Sequence, residues 1–324
     1  VNQLTAAVVG LGRIGQGYDY DPVADNRVLT HASAFAAHPR IELVAGVDPD
    51  PYERERFTRK FSAPAYPDAA TMQEQCQPDV IALCTPTNEH YAGFRQLIAG
   101  NPRAIICEKP IAPILSEARE MVRLAAERHC VLLVNYMRRF EPGTRALAKA
   151  IRQGRFGEIY KGAVWYSKGL LNNGSHFIDL LCFMLGNSAE VEYVRMGRDW
   201  NGNDPEPDCC LRFGTAHIYL LAAREECYSM YTMELVGTKG VASYLNGGEA
   251  IRARFAAPDP VFSGSMTLQQ PNAPFESAMG RYQWHVLEAL LQHLDTGQPL
   301  ASDGASALNT LSIIDAILSH LQSD

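Results

Sequence analysis

Apolar residues in the first 130 or so positions fall into short runs, at 6–9, 43–47, 80–84, 104–107 and 131–134, separated by longer segments of mixed character. Strand-length runs alternating with helix-length segments predict βαβ units and a parallel sheet, because parallel neighbours need a long crossover to return the chain. The segments at 52–61, 90–99 and 116–128 carry apolar residues at helical period and are the predicted crossover helices, the last with Ser116 as its N-cap. After about residue 135 the pattern changes. One apolar helix, at 175–185, precedes alternating segments at 190–196, 209–221, 228–236 and 241–245, as in a largely antiparallel sheet with one buried face. Gly237-Thr238-Lys239-Gly240 and Asn246-Gly247-Gly248 read as turns, and helices at 284–296 and 305–321 close the chain. The expected organisation is α/β: a parallel-sheet domain over residues 1–125, then an α/β domain with an open, largely antiparallel sheet over 126–324.

Composition agrees with two domains. The 324 residues are 47% hydrophobic and 20% charged, which suffices to bury a core in each. Lys and Arg number 29 against 36 Asp and Glu, a net charge of -7, so there is no overall positive field for a nucleic acid backbone. The eight cysteines lack C-x-x-C spacing and read as buried reduced thiols. His129, His217 and His285 show no metal-ligand spacing, and no metal is expected. No apolar stretch reaches the roughly 18 residues of a membrane helix. No Lys or Arg precedes Arg13 to open a signal peptide. A cytoplasmic protein without membrane or nucleic acid partners is therefore expected.

The first strand runs into Gly10-Leu11-Gly12-Arg13-Ile14-Gly15. Glycines at this spacing allow a tight turn, close approach of backbone to a pyrophosphate and close helix packing. The second strand ends at Asp48, placed to accept hydrogen bonds from a ribose. That aspartate comes later than the usual fingerprint allows, which points to an insertion around residues 17–22, before the segment at 31–37. An ionised Asp48 repels a 2′-phosphate, and Pro49-Asp50-Pro51 offers no arginine, so NAD(H) is favoured over NADP(H). A glycine turn and a surface aspartate with no ligand remain the plain alternative.

Two more strand ends carry chemistry: Cys84-Thr85-Pro86-Thr87-Asn88-Glu89-His90 and Cys107-Glu108-Lys109-Pro110. Ligands of open parallel sheets bind outside the carboxyl ends of the strands, so both segments should face one crevice. Lys109 is either an acid/base in that crevice or a solvated surface lysine. His176 and Asp179, three apart, share a helix face; a satisfied structural histidine is the competing reading. Arg138, Arg139, Arg145, Lys149 and Arg152 form a basic stretch that reads as a solvated helix face.

Together the glycine fingerprint, Thr85-Pro86, Glu108-Lys109-Pro110 and Asn172-Asn173-Gly174-Ser175-His176-Phe177-Ile178-Asp179 resemble the Gfo/Idh/MocA family over most of the chain. The resemblance implies a Rossmann domain followed by an α/β domain whose open sheet assembles a homo-oligomer, dimer or tetramer. It implies NAD(P)-dependent oxidation or reduction of a sugar-like carbinol. Lys109 and His176 match the family's catalytic pair, and Asp179 a substrate-contacting aspartate. Family dehydrogenases often carry Asp four residues before the histidine. Here that residue is Asn172, which gives a protonated His176 less support and puts Lys109 first as acid/base.

The cofactor is then expected against Gly10, Gly12, Arg13, Ile14, Gly15, Asp48, Thr85, Pro86, Asn88, His90, Glu108 and Lys109. The substrate is expected against Lys109, Tyr136, Arg139, Asn172, Asn173, His176 and Asp179. Hydride transfer at an alcohol carbon needs a positioned group for the hydroxyl proton, the role given to Lys109. The rival functions are a non-catalytic dinucleotide-binding regulator on the same fold and a reductase of a non-sugar carbonyl or imine.

Overall fold

The computed structural model describes residues 3–21, 26–269 and 275–321. The chain divides into two compact units, Val1–Phe140 with Gly280–Leu308, and Glu141–Met279 with Asn309–Asp324. The first unit thus runs 15 residues beyond the expected end at 125, because the run at 131–134 pairs into its sheet; a later segment then returns to it, which the linear pattern did not anticipate.

In the first unit, β1 (Leu4–Val9), β2 (Ile41–Val47), β3 (Ala65–Tyr66), β4 (Val80–Leu83), β5 (Ala104–Cys107) and β6 (Val131–Val134) form a sheet in the order β3-β2-β1-β4-β5-β6. Every pairing is parallel. The crossovers contain α1 (His31–Ala37), α2 (Pro51–Phe61), α3 (Ala69–Gln75), α4 (His90–Ile98) and α5 (Leu115–Glu127). α2 starts at an Asp50 cap with Pro51 at its first position. α5 starts two residues earlier than a Ser116 cap implies: Ile114 is its N-cap and Ser116 lies inside the helix. Ala6, Val8, Val80, Ala82, Ala104 and Ile106 of the sheet pack with Phe35 and Phe57. The expected strands at 80–84, 104–107 and 131–134 fall where the structure has β4, β5 and β6, since fully buried strands show as continuous apolar runs.

The second unit holds α6 (Pro142–Arg152), β7 (Ile159–Tyr166), α7 (Ser175–Leu185), β8 (Glu190–Trp200), β9 (Asp204–Phe213), β10 (Ala216–Ala222), β11 (Thr232–Gly237), β12 (Gly240–Leu245), β13 (Ala250–Pro258) and β14 (Met266–Leu268). Its sheet runs β14-β13-β12-β11-β7-β10-β9-β8, antiparallel except where β10 lies parallel to β7. The expected strand at 209–221 is two strands, β9 and β10, folded back with Ala216 opposite Phe213. β7, in mid-sheet, escaped the sequence reading because Tyr160, Lys161 and Trp165 are exposed and break its apolar run. Gly237 faces Gly240 across the hairpin of β11 and β12, as the glycine turn predicts.

One sheet face packs on α6, α7 and the final helix, α9 (Gly304–Leu321), through Leu147, Ile151, Phe177, Leu181, Ile314 and Ile317. α9 follows α8 (Tyr282–Thr296), whose Val286, Leu287, Leu290 and Leu291 lie in the first unit's core. The other face of the second sheet is open: Tyr193, Tyr219 and Trp165 are 52%, 40% and 41% exposed. Of the eight cysteines, none forms a disulfide. Five are buried, but Cys227 is exposed and Cys76 and Cys84 only half-buried, a correction to the expectation that all lie inside.

Candidate functional site

All six strands of the first sheet point the same way, so the glycine turn, Asp48, Thr85, Glu108-Lys109 and Asn135 follow the carboxyl ends of β1, β2, β4, β5 and β6 along one edge. Gly10 has φ +93°, and a Cβ there would lie 2.6 Å from the Cys84 carbonyl carbon. A Cβ on Gly15 would lie 2.1 Å from the Gly10 carbonyl oxygen. At Gly12, by contrast, a Cβ would meet nothing within 4 Å. The turn is closely packed at two glycines and bare at the third, as a backbone that receives a pyrophosphate must be. Arg13 is exposed and Ile14 half-buried.

Residues Arg13–Gly17 make one wide helical turn, and α1 does not begin until His31. Between them lies the expected insertion, of which Pro22 falls outside the described residues. The buried Asp19 carboxylate ties this segment to α1, accepting from the amides of Leu29 (2.7 Å) and Thr30 (3.2 Å) and the hydroxyls of Thr30 (2.6 Å) and Ser33 (2.9 Å). Asp48 stands against the glycine turn: its Oδ2 accepts from the Leu11 amide at 2.8 Å and its Oδ1 from the Asp50 amide at 2.9 Å. Arg54 donates to the carbonyls of Asp48 and Pro49, each at 2.8 Å, so a cation does stand at this turn, from a residue beyond the three weighed in the sequence.

The Thr85 hydroxyl oxygen is buried without a hydrogen-bond partner among the described residues, and its chemistry fits a polar group of a cofactor. Pro86 and Asn88 are exposed beside it. His90 has a different setting from the one expected of a cofactor contact. Its ring is buried between the Pro110 carbonyl, 2.9 Å from Nδ1, and the Thr85 carbonyl, 2.9 Å from Nε2. It therefore straps two strand-end turns together. Burial pushes its pKa down, which favours a neutral ring donating to one of the two carbonyls.

Around the carboxylate of Glu108, the residue before Lys109, lies a buried polar cluster. His31 Nε2 is 2.9 Å from Glu108 Oε1, and the Asn135 amide donates to the same oxygen at 2.6 Å. Gln283, in α8, places its amide 3.2 Å from His31 Nε2. Burial would push the Glu108 carboxyl up. The hydrogen bond and electrostatic pull of His31, the Asn135 amide and the Lys109 charge outweigh it and hold the carboxyl below the usual carboxylate range. His31, Asn135 and Gln283 were not foreseen. The strand-end rule that singled out Lys109 reaches Asn135, the residue after β6, but no local signal marks the other two.

Tyr136 and Arg139 are buried, 1% and 3% exposed, and Arg139 donates to the Ala301 carbonyl at 3.0 Å. Arg139 thus departs from the solvated face expected of the basic stretch, whereas Arg145, Lys149 and Arg152 of α6 are exposed as anticipated.

In the second unit, Asn172 and Asn173 lead into α7, which carries His176 and Asp179. The Asp204 carboxylate receives the amides of Leu171 (2.8 Å) and Asn172 (2.9 Å), and the Glu206 carboxylate that of Gly169 (3.0 Å). Asn173 donates to the Ser167 carbonyl (2.8 Å) and the Tyr231 hydroxyl (2.6 Å), so its amide braces the loop. His176 is 8% exposed; Asp179 is 1% exposed and accepts from Thr310 at 3.2 Å. Asp204 and Glu206 are further residues the sequence reading missed, because they sit on a strand far from the motif they hold. Among the described residues no cluster of three or more His, Cys, Asp or Glu could hold a metal ion, and no helix is long and apolar enough to cross a membrane.

Comparison with known proteins matches residues 4–136 to an oxidoreductase family model with an NAD-binding Rossmann fold, and residues 148–324 to the C-terminal alpha/beta domain of the same family. Inositol 2-dehydrogenase of Rhizobium meliloti is 30% identical over 47% of this chain and 42% of its own length. The chain spans under half the length of the first curated relatives it matches. Among solved structures, the WlbA dehydrogenase of Bordetella pertussis, in complex with NADH and UDP-GlcNAcA, has a TM-score of 0.79 at 20% identity, covering 99% of this chain and 96% of that one. A putative NADPH-dependent oxidoreductase of Desulfitobacterium hafniense has a TM-score of 0.80 at 18% identity, covering 98% and 95%.

Proposed function

The chain belongs to the Gfo/Idh/MocA oxidoreductase family, and from that premise we propose that it is an NAD-dependent enzyme transferring hydride between nicotinamide and a carbinol or keto carbon of a sugar or sugar derivative, nucleotide sugars included. One observation supports this above the rest: Lys109 stands on the same sheet edge as the bare Gly12 backbone and the Asp48 carboxylate. The nicotinamide, when bound, gives or takes the hydride. The chain's part is the proton. As an amine, Lys109 Nζ takes the substrate hydroxyl proton during oxidation; as an ammonium it returns one to the carbonyl oxygen during reduction. His176 orients the substrate oxygen or assists, and Asn172 and Asp179 shape its setting. Gly10, Gly12, Gly15, Asp48, Thr85 and Glu108 surround the cofactor. Cytoplasmic residence belongs to the same reading, since cysteines without disulfides suit a reducing compartment.

The test is a panel of sugars and nucleotide sugars with NAD+ and with NADH, followed at the nicotinamide absorbance. Turnover of a member of the panel supports the reading. Tight cofactor binding with no turnover favours the regulator, and turnover only of non-sugar carbonyls or imines favours the third function.

NAD(H) rather than NADP(H) is part of the proposal, on the strength of Asp48. Replacing Asp48 by Ser is expected to weaken NAD(H) about tenfold and to improve NADP(H), with Arg54 beside the same turn to meet a 2′-phosphate. Titration of both cofactors by fluorescence checks this; unchanged preference removes Asp48 from the selection.

A homo-oligomer, dimer or tetramer, through the open sheet face is also proposed. Trp165, Tyr219 and Tyr193 lie on that face, with Leu221 beside Trp165, and charged pairs such as Arg212–Glu192 rim it. Exposed apolar patches framed by polar groups mark protein contacts. Trp165→Glu is expected to reduce the mass in light scattering to the monomer's 35.7 kDa. A wild-type protein already of that mass would overturn the assignment.

A further inference from the structure

Among the described residues, the helical run that carries His176 and Asp179 has no side-chain cap at its own start. It opens as the wide turn Gly169–Gly174 and passes straight into α7; neither Lys168 before the turn nor Gly174 before the helix caps an amide with its side chain. The first amides of a helical run find no partner within it, and leaving them unanswered in a buried place costs stability. Two carboxylates from β9 answer them here. Asp204 accepts from Leu171 at 2.8 Å and from Asn172 at 2.9 Å, one amide on each oxygen, and Glu206 accepts from Gly169 at 3.0 Å.

The backbone is bent to make this fit. Lys168 and Gly169 have φ of +65° and +85°, and a Cβ on Gly169 would lie 2.0 Å from Asp204 Oδ2, so the carboxylate is seated hard against the turn. Both acids are buried, Asp204 8% and Glu206 1% exposed. Arg198 donates to the second oxygen of Glu206 at 2.7 Å and is itself paired with Glu226. Negative charge suits a helix N-terminus, and amide bonds to a carboxylate are stronger than those to a neutral acceptor. A single Ser or Asn cap would answer one amide; this arrangement uses two buried carboxylates to hold three.

We propose that Asp204, seconded by Glu206, is a positioning residue for the substrate. As a cap supplied from another strand, it fixes where the helical run begins, and hence where Asn172, Asn173 and His176 stand. This rests on the reading in which those three residues meet the substrate, and extends it to the acids that set them. Asn172 is placed through its own amide, and Asn173 beside it directs its side chain to the Ser167 carbonyl and the Tyr231 hydroxyl. His176 follows in the first turn of α7, so a shift at the start of the run is passed to it through the backbone. Cofactor binding, on the proposed reading, belongs to the glycine turn and Asp48, in which these acids have no part.

Steady-state kinetics on a substrate from the panel reads the positioning, and hydrogen exchange of the backbone amides from Gly169 to His176 reads the cap without turnover. Asp204→Asn keeps the shape but sets an amide donor against one of the two N–H groups. It is expected to speed exchange of the Leu171 and Asn172 amides about tenfold, and to raise KM about tenfold with kcat within about threefold of wild type and NADH affinity unchanged. Asp204→Ala, which removes both acceptors, should raise KM further. Gly169→Ala drives a methyl into the same carboxylate and should reproduce both changes; combined with Asp204→Ala, its effect on KM should fall short of adding, because the two act through one contact. If the Asp204 variants do not fold, Gly169→Ala decides by the same pair of readings. Exchange unmoved in Asp204→Asn overturns the proposal. Faster exchange at a wild-type KM would mark the acids as a structural cap only, and overturns it too. If no member of the panel is turned over, the proposed activity fails by itself; faster exchange spreading to the Ser175 and His176 amides in Asp204→Asn then still supports the positioning, and exchange unchanged there overturns it.

Discussion

Lys109→Ala is expected to lower kcat by a factor of about 10² to 10⁴, the usual contribution of a positioned acid/base, while NAD(H) still binds. The separation follows from where the two tasks lie. On the proposed reading, cofactor binding depends on the Gly10 to Gly15 turn and on Asp48, whose carboxylate is anchored by the Leu11 amide, and the Asp48–Leu11 bond does not involve the lysine. Removing Nζ therefore leaves the hydride partner in place and takes away the group that moves the proton. Lys109→Arg keeps the charge but cannot deprotonate at working pH, so it should fail to rescue oxidation. Steady-state kinetics with a turned-over substrate, paired with fluorescence titration of NADH, reads both quantities. A kcat within threefold or so of wild type in the alanine variant would remove Lys109 from the chemistry.

Gly15→Ala should act on the fold itself, and Gly12→Ala on the ligand alone. The new methyl at residue 15 would lie 2.1 Å from the Gly10 carbonyl oxygen and 3.1 Å from its carbon. Both are backbone atoms of the same turn and cannot rotate aside, so the turn must open. A cost of about 3 kcal/mol is expected, with a fall in Tm of roughly 5–10 °C and loss of measurable NAD(H) binding. At residue 12 the methyl has open space, so Gly12→Ala should unfold like wild type yet bind NAD(H) at least about tenfold more weakly, because it occupies the approach to the backbone. Thermal unfolding with and without NADH distinguishes the two. Wild-type affinity in Gly12→Ala would show that the cofactor does not lie over this turn.

What could be read in advance differs between the units for physical reasons. Buried parallel strands are continuous apolar runs, so β4, β5 and β6 stood out at once. The second sheet has one open face, and there the pattern weakens. β7 carries exposed Tyr160, Lys161 and Trp165 and passed unnoticed, while β9 and β10 merged into one expected strand because only Gly214 and Thr215 part them. Site residues divide in the same way. Lys109 and the glycine turn are local motifs at strand ends, whereas Asp204 braces Asn172 from 32 residues away.

The linear chain by itself determined the parallel sheet, the turn at Gly10 to Gly15 and the placement of Asp48, Thr85 and Lys109 at strand ends, since each depends on residue period or on the conformations open to a few neighbours. Only the tertiary structure decided that His31 and Asn135, separated from Glu108 by 77 and 27 positions, clamp its carboxylate, and that Gln283 joins them from a segment returning late in the chain. It also decided that His90 straps two turns and that Asp179 lies against Thr310. These are contacts between distant residues, chosen by how layers pack and bury charge, and no local pattern of hydrophobic and polar positions encodes them.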